Sequence, residues 1–454
     1  MASIVALTYP YADLYSVSSI IASILIVLIV KKLVERAPKV NAEAIIKALV
    51  FFWFFSPLLL TFFFSIFAHV SFVDAYFEMV SGLSGTGLTI LNPSKETPFV
   101  NAFRAASQWS GEVGALFLTL ILALVYHVSP TGIVSALGKG ERVRPSMFQT
   151  LKDLVMIYIA LTIIPITYMY LTGMSLYNAI VYTFAALATG GFAPTNMGAG
   201  DLTFWQQMAV MLTCVIGALN FSIYLNLRYG KIRKALSHPE LRMLIGSILF
   251  YAALLLMLWG KLTPFTLWSA VFHSASAVTT SGFSIVDVSK FNQASKFVLI
   301  IAMLIGASAF STGGGIKLYR VYVLSKFLMK EIKSIGKPQG LVKKVVILGR
   351  EISYEDLAVM MMYITLYMFV FLSLSLVVIE LVNRYHLPVT PIDVMFEISS
   401  AMSGTGLTSG LTPVATPDIK LILCFAMIVG KVEILPVIYV IYSIFKEMKS
   451  ARTK

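Results

Sequence analysis

Long apolar runs recur along the sequence, and they limit what the chain can fold into. A helix needs roughly 20 mostly apolar residues to cross a lipid bilayer. Nine candidate runs lie at 14–31, 48–70, 113–129, 153–172, 203–227, 243–260, 296–324, 357–381 and 420–445. The composition agrees, because 58% of the 454 residues are hydrophobic and 13% are charged, whereas a soluble domain carries roughly 25% charged residues. The sequence therefore predicts an all-α polytopic membrane protein.

The charges outside these runs predict how the chain is oriented. Lysine and arginine collect in three links, 139–152, 228–242 and 326–350, and in the tail from Lys446 onward. Cytoplasmic loops carry such an excess of basic residues. We therefore expect the links and the C-terminus in the cytoplasm and the N-terminus outside. The net charge of +13 then reports topology rather than nucleic-acid binding.

One short segment occurs twice almost unchanged, and two looser copies lie between the pair. Residues 74–89 read DAYFEMVSGLSGTGLT, and residues 393–408 read DVMFEISSAMSGTGLT. The looser copies are YTFAALATGGFAP (182–194) and HSASAVTTSGFS (273–284). Alignment of the copies on the last glycine of each places four glycines in register, namely Gly87, Gly191, Gly282 and Gly406.

Each copy lies at the end of a short apolar helix between two long apolar runs. These short helices are predicted at 71–83, 175–188, 266–279 and 391–403. The order long helix, short helix, glycine turn, long helix therefore occurs four times. The predicted units are 41–138, 139–235, 236–340 and 341–454, preceded by an N-terminal transmembrane helix and link at 1–40.

A glycine turn at the end of a short intramembrane helix points to an ion pathway. Irregular backbone survives at membrane depth only when it is buried in protein or lines a water-filled cavity. Glycine permits the positive φ angles that turn successive carbonyls toward one side. Four such turns around an axis can replace the hydration shell of K⁺, and the partly negative C-terminal ends of the short helices favour cations. The alternative for any single turn is an ordinary helix C-cap.

Three further stretches carry a family resemblance. They are RAASQWSGEVGA (104–115), GASAFSTGGGIKLYR (306–320) and GKVEILPV (430–437). Together with the four glycine segments, they resemble the Trk/Ktr/HKT superfamily of potassium transporters, most closely the TrkH-type membrane subunit. The resemblance covers residues 40–450. It implies four membrane–pore–membrane repeats around one pore, as in a K⁺ channel.

The resemblance also implies a selectivity filter in which backbone carbonyls bind K⁺. The residues that match the filter are Ser84, Gly85, Thr86, Gly87, Ala188, Thr189, Gly190, Gly191, Thr279, Thr280, Ser281, Gly282, Ser403, Gly404, Thr405 and Gly406. In the wider superfamily, serine at a filter-glycine position goes with Na⁺ permeation. All four aligned positions are glycine here, which favours K⁺.

A glycine run in the third unit predicts a gate. Three consecutive glycines break a helix, and the resemblance implies that this break is an intramembrane loop that blocks the pore below the filter. The residues of the loop are Ser311, Thr312, Gly313, Gly314 and Gly315. Lys431 matches a family arginine that lies near the loop. The alternative is a flexible kink or close helix packing.

The sequence leaves open the roles of several acidic residues in or beside the predicted intramembrane helices. Glu78 and Glu397 occupy equivalent positions on the first and fourth short helices, where they either attract cations or bond backbone amides. Asp74 and Asp393 fit helix N-caps. Glu112 stands where the family usually has a small residue, and the sequence assigns it no role.

The sequence predicts a transporter rather than an enzyme. It contains no nucleotide-binding motif, no clustered catalytic set and nothing that calls for a covalent cofactor. The resemblance implies K⁺ uptake across a prokaryotic cell membrane, a homodimer, and a cytoplasmic TrkA- or KtrA-type nucleotide-binding ring docked on the basic links. The alternatives are a K⁺/Na⁺ or H⁺-coupled symporter and the K⁺-conducting subunit of an ATP-driven pump. A carrier for organic solutes would show two inverted halves, whereas the four units predicted here share one orientation.

Overall fold

The computed structural model describes residues 42–126, 147–335, 345–347 and 350–452. The predicted helix at 14–31 and most of the link at 139–152 lie outside the described residues. The helices are α1 (Ala42–Ala68), α2 (Phe72–Leu83), α3 (Pro98–Tyr126), α4 (Met147–Leu171), α5 (Leu176–Leu187), α6 (Phe204–Ala218), α7 (Phe221–Arg228), α8 (Ile232–Leu236), α9 (Pro239–Trp259), α10 (Pro264–Val278), α11 (Gln293–Ile305), α12 (Leu318–Ser334), α13 (Tyr354–Arg384), α14 (Pro391–Ser403), α15 (Pro417–Val432) and α16 (Ile434–Arg452). Two short antiparallel strands, β1 (Val346–Ile347) and β2 (Arg350–Glu351), pair at the end of the third basic link.

The long helices have the length and the apolar surface of membrane spans. Within the described part of the chain, four segments pass as single spans, namely Ile46–Ala68, Lys152–Leu171, Ile232–Trp259 and Tyr354–Arg384. Two bent helix pairs, α6 with α7 and α15 with α16, raise this number to six. The outer face of α1 exposes large apolar side chains such as Phe52, Phe55 and Phe62. An apolar surface of this extent is typical of a membrane interaction.

The four short helices α2, α5, α10 and α14 lie at the buried centre. Their observed bounds confirm the predicted ones to within two residues at each end. Every residue of α14 from Phe396 to Ser403 is buried, and so is every residue of α10 from Phe272 to Val278. The C-terminal end of each short helix leads directly into one of the four glycine turns. The fold therefore buries the glycine turns in the middle of the protein.

Each short helix begins at a serine or threonine N-cap, and the N-caps are Ser71, Ser175, Thr263 and Thr390. The prediction that Asp74 and Asp393 are N-caps is therefore wrong, because both lie three residues further along. Their carboxylates reach the neighbouring unit, and that of Asp393 also accepts the amide of Thr390 over 2.9 Å in a capping box. Lys296 Nζ lies 2.7 Å from Asp393, and Lys420 Nζ lies 2.6 Å from Asp74. These ion pairs join the third unit to the fourth and the fourth unit to the first.

Two helices that the sequence predicts as continuous are broken. The predicted span 203–227 bends by 87° between α6 and α7, and the predicted span 420–445 bends by 105° between α15 and α16. The second break lies at Glu433, whose φ is +67°. The predicted break in the third unit is confirmed, but it is wider than the glycine run, since α11 ends at Ile305 and α12 begins at Leu318.

Candidate functional site

The backbone of the four glycine turns follows one pattern. The aligned glycines have φ angles between +73° and +92°, and these glycines are Gly87, Gly191, Gly282 and Gly406. Two residues earlier, φ is again positive, at Gly85, Thr189, Thr280 and Gly404. A β-branched residue with φ near +50° is a backbone outlier, and Thr189 and Thr280 have φ of +49° and +53°. Such outliers are held by their surroundings and cluster at functional sites.

The four turns contact one another in a closed ring. A Cβ atom added to an aligned glycine would overlap a carbonyl oxygen of the next unit, and the pairs are Gly87 with Gly190, Gly191 with Ser281, Gly282 with Thr405, and Gly406 with Thr86. The contacts run from the first unit to the second, third and fourth, and then back to the first. Glycine is required at all four positions because no side chain fits between neighbouring turns.

Carbonyl oxygens of these turns are buried with few hydrogen-bond donors. The residue before each aligned glycine donates its amide to a carbonyl five residues earlier, over 2.8–2.9 Å. Its own carbonyl is the one that contacts the aligned glycine of the preceding unit. Among the described residues, no donor reaches the carbonyls of Thr86, Ser281 and Thr405, whereas Gly190 accepts a bond of 2.5 Å from Gln108 Nε2. Backbone carbonyls in such rings are the ligands that replace the hydration shell of alkali cations.

Side chains on the short helices hold the segment that follows each turn. Glu78 Oε1 accepts bonds from Thr89 Oγ1 (2.7 Å) and from the amide of Ile90 (2.8 Å). Glu397 accepts the amides of Leu411 and Thr412, each at 3.1 Å. Of the two roles that the sequence leaves open for these glutamates, the described contacts are those of hydrogen-bond acceptors.

The position of Glu78 and Glu397 carries a hydrogen-bonding side chain in the other two units as well. Tyr182 donates from its hydroxyl to the carbonyl of Gly198 at 2.7 Å. His273 accepts the amide of Ile285 at 3.4 Å. All four equivalent side chains therefore tie a short helix to the segment beyond its turn.

Arg104 and Gln108, to which the sequence assigns no role, support the first two turns from α3. The Arg104 guanidinium is buried, contacts Glu78 at 3.1 Å, and lies 4.0 Å from the ring centre of Phe192 in the second unit. Gln108 bonds the carbonyl of Gly190, and its Oε1 accepts the amide of Phe192 at 3.3 Å. Buried polar groups are nearly always hydrogen-bonded, so two long polar side chains one turn apart just before a predicted span were the available signal.

The loop between α11 and α12 packs against the C-terminal ends of three short helices. The Thr312 hydroxyl lies 3.0 Å from the carbonyl oxygen of Leu187, the last residue of α5. The amide of Gly314 donates to Thr280 Oγ1 over 2.8 Å. A Cβ atom on Gly313 would meet the carbonyl of Thr279, and one on Gly314 would overlap that of Ser403. The predicted gate residues therefore lie directly beside the predicted filter residues.

The other side of this loop is attached to α6, α7 and α9. Glu240, which is fully buried at the start of α9, accepts the amide of Ala309 and the side-chain amide of Asn220, both at 2.6 Å. The amide of Phe221 donates to the carbonyl of Phe310 over 2.8 Å. The break between α6 and α7 thus supplies groups that bond the loop.

Charged side chains gather below the turns, around the loop. Lys431, in the last turn of α15, pairs with the buried Glu112 of α3. Lys317 donates to the carbonyl of Gly313 within the loop. Arg320 donates to both carboxylate oxygens of Glu433, at 3.1 and 3.3 Å, and stacks 3.8 Å from the ring centre of Tyr363. The acidic partner of Lys431 is therefore Glu112, and its charge also interacts with that of Lys317 at the end of the loop.

Comparisons with known proteins show what this chain is similar to. A model of the family described as "TrkH: Cation transport protein" matches residues 265–451. An uncharacterized cation transporter of Methanocaldococcus jannaschii is 27% identical over 379 residues, which cover 83% of this chain and 77% of that protein. The Trk system potassium uptake protein TrkH of Salmonella typhimurium is 28% identical over 398 residues, covering 83% and 80% respectively.

One solved structure is similar over most of its length. The crystal structure of the potassium transporter TrkH from Vibrio parahaemolyticus superimposes with a TM-score of 0.76, covering 88% of this chain and 85% of that one. The sequence identity is 22%, so this similarity concerns the fold.

Proposed function

We infer that this chain, a TrkH-type member of the Trk superfamily, is the membrane-embedded translocation subunit of a potassium uptake system. The observation that carries the inference is the closed ring of four glycine turns at the buried centre of the fold. The relative from Salmonella typhimurium is itself named a potassium uptake protein. The matched family region, residues 265–451, includes the third and fourth turns.

The ring supports a selectivity filter made of backbone carbonyls. The filter consists of residues 84–87, 188–191, 279–282 and 403–406, with K⁺ as the bound ion. The carbonyls of Thr86, Ser281 and Thr405 are buried without donors among the described residues, which suits them to coordinate a dehydrated cation. The hydrogen bonds of Glu78, Tyr182, His273 and Glu397 hold the outer segments and so fix the width of the ring.

The loop from Ser311 to Gly315 is the gate. It lies against the ends of α5, α10 and α14, so it occupies the path that an ion would take after leaving the filter. The bond from Gly314 to Thr280 couples the loop to one of the two strained threonines of the filter. Movement of the loop would both clear the path and release that contact.

Regulation would come from the cytoplasm. The family resemblance supports a homodimer and a nucleotide-binding ring of the TrkA or KtrA type, docked on the basic link 326–350. Helix α12 carries three lysines of this link, Lys326, Lys330 and Lys333, and follows the gate loop directly. A partner that shifts α12 would therefore pull on the loop.

Tracer flux into liposomes tests the proposal. Vesicles that hold the purified chain and KCl are diluted into K⁺-free buffer, so that the outward K⁺ gradient drives uptake of ⁸⁶Rb⁺. We expect uptake that external K⁺ suppresses and that equal concentrations of Na⁺ and Li⁺ do not. Uptake only with an imposed proton gradient would favour a symporter. Absence of uptake even with the regulatory ring and a proton gradient would overturn the proposal.

A further inference from the structure

Glu112 occupies an unusual place just below the first turn. Its side chain is only 2% exposed, so an acidic group is buried inside the protein. A Cβ atom on Gly85, one of the filter residues, would overlap Glu112 Oε1 and would lie 3.5 Å from the carbonyl oxygen of Ala188. The carboxylate therefore lies at the inner end of the ring, beside the backbone of the first two turns.

The counter-charge of Glu112 comes from the equivalent position in the fourth unit. Glu112 follows Gly87 by 25 residues, and Lys431 follows Gly406 by 25 residues. The same position holds Ile216 in the second unit and Ala307 in the third. Two neighbouring units thus present opposite charges at one level below the ring, and the other two present apolar side chains.

The other charges around this pair are already engaged. Arg320 pairs with Glu433, while Lys317 donates to the carbonyl of Gly313 and interacts electrostatically with both Lys431 and Glu112. Glu112 itself lies against the filter residue Gly85, with Lys431 as its ion-pair partner. The Lys431 ammonium reaches it from the last turn of α15, two residues before the break at Glu433.

We propose that Glu112 is a binding site for a monovalent cation at the inner end of the pore, and that the Lys431 ammonium is a tethered occupant which the permeating cation displaces. The inference rests on the proposed function and extends it below the filter. An ammonium is a compact monovalent charge on a flexible stem, so the Lys431 side chain can move away from the carboxylate while α15 stays folded. A carboxylate inside the membrane is costly unless it is paired, and the permeating cation would then take over as its partner.

The proposal predicts opposite effects on Rb⁺ uptake for the two single variants of this pair. In Lys431→Met the carboxylate is free for the permeating ion, so the half-saturating Rb⁺ concentration should fall by about threefold or more, as expected when one competing cation is removed. In Glu112→Gln the ammonium is left without compensation and repels the permeating cation, so Rb⁺ uptake should fall by about tenfold, which corresponds to about 1.4 kcal/mol. The double variant should return toward the wild type.

The experiment measures ⁸⁶Rb⁺ uptake against Rb⁺ concentration for these variants, with the thermal unfolding temperature of each protein in detergent. Asp287→Asn and Lys290→Met are matched controls, because they make the same chemical changes in an exposed pair 3.5 Å apart, and neither should change uptake. A pair that only holds α3 to α15 would lower uptake and stability together in both single variants, with no fall in half-saturation. That result would overturn the proposal.

Two further outcomes are decisive. If Lys431→Met does not yield folded protein, Glu112→Asp serves as the test. It keeps the charge but withdraws the carboxylate by one methylene, so it must raise the half-saturating Rb⁺ concentration. An unchanged value in Glu112→Asp would also overturn the proposal. Absence of Rb⁺ uptake in the wild type would instead count against the potassium-uptake function itself, so the two failures are distinguishable.

Discussion

Glu240 is the residue through which α9 holds the gate loop, so its removal should release the loop. The substitution Glu240→Met leaves a side chain of similar length and removes both acceptors. The Ala309 amide and the Asn220 side-chain amide would then lose bonds of 2.6 Å each in a fully buried setting. An unsatisfied buried donor costs about 1–3 kcal/mol.

This cost falls on the loop conformation that packs against the short helices. Only the Ala309 amide belongs to the loop, because Asn220 lies between α6 and α7. We therefore take about 1–3 kcal/mol for this one donor, which corresponds to a roughly 5- to 150-fold shift between the packed and the displaced loop. We therefore expect Glu240→Met to raise ⁸⁶Rb⁺ uptake into liposomes in the absence of any partner. Glu240→Gln keeps an oxygen for the Ala309 amide and should give a smaller increase.

The control is Glu355→Met, which makes the same change at an exposed position in the first turn of α13. It should leave uptake unchanged. The reasoning would be refuted if Glu240→Met, folded as judged by its unfolding temperature, showed uptake equal to or below that of the wild type.

Three other predictions follow from the same contacts. Deletion of Thr312–Gly315 should raise uptake, and lower uptake with normal folding would mean that the loop is structural. Arg104→Met should lower the unfolding temperature strongly, because removing one partner of a buried ion pair (3.1 Å to Glu78) costs about 3–5 kcal/mol. Lys296→Met and Asp393→Asn should each destabilise the protein more than their double variant, which leaves no uncompensated charge; additive losses of unfolding free energy in a double-mutant cycle would contradict the coupling between these side chains.

The family and the helical frame could be predicted from the sequence. The resemblance to the TrkH type is confirmed by the family match and by the curated relatives. The four short helices were predictable because each combines an apolar stretch too short to span with a glycine turn at its end. Pro391–Ser403 has the bounds that the sequence predicts.

The breaks at Asn220 and Glu433 leave only weak local marks in the sequence. Asn220 is an N-cap residue, and Pro436 lies in the first turn of α16, where proline is tolerated, but both stand inside long apolar runs. Both breaks depend on contacts with residues distant in sequence. The amide of Phe221 donates to the carbonyl of Phe310, and Glu433 forms an ion pair with Arg320 on α12. A hydropathy pattern contains no information about such partners, so both helices read as continuous spans.

The partner of Glu112 was within reach of the sequence. The four glycines in register place Glu112 and Lys431 at the same distance beyond their turns. Extending the alignment of the units by one helix would have brought the opposite charges together. The contacts of Glu240 with Ala309 and Asn220 follow no such symmetry and emerge only from the three-dimensional arrangement.

The most direct test of the central claim is the reversal potential of the purified chain in a planar bilayer, with K⁺ on one side and Na⁺ on the other. The ring of carbonyls predicts a reversal potential set by K⁺. It further predicts a shift toward zero in Gly87→Ser and Gly406→Ser, because a side chain at either glycine overlaps the carbonyl of the neighbouring turn. A wild-type potential that does not distinguish K⁺ from Na⁺, or a K⁺-selective potential that neither substitution changes, would contradict the assignment of these four turns as the filter.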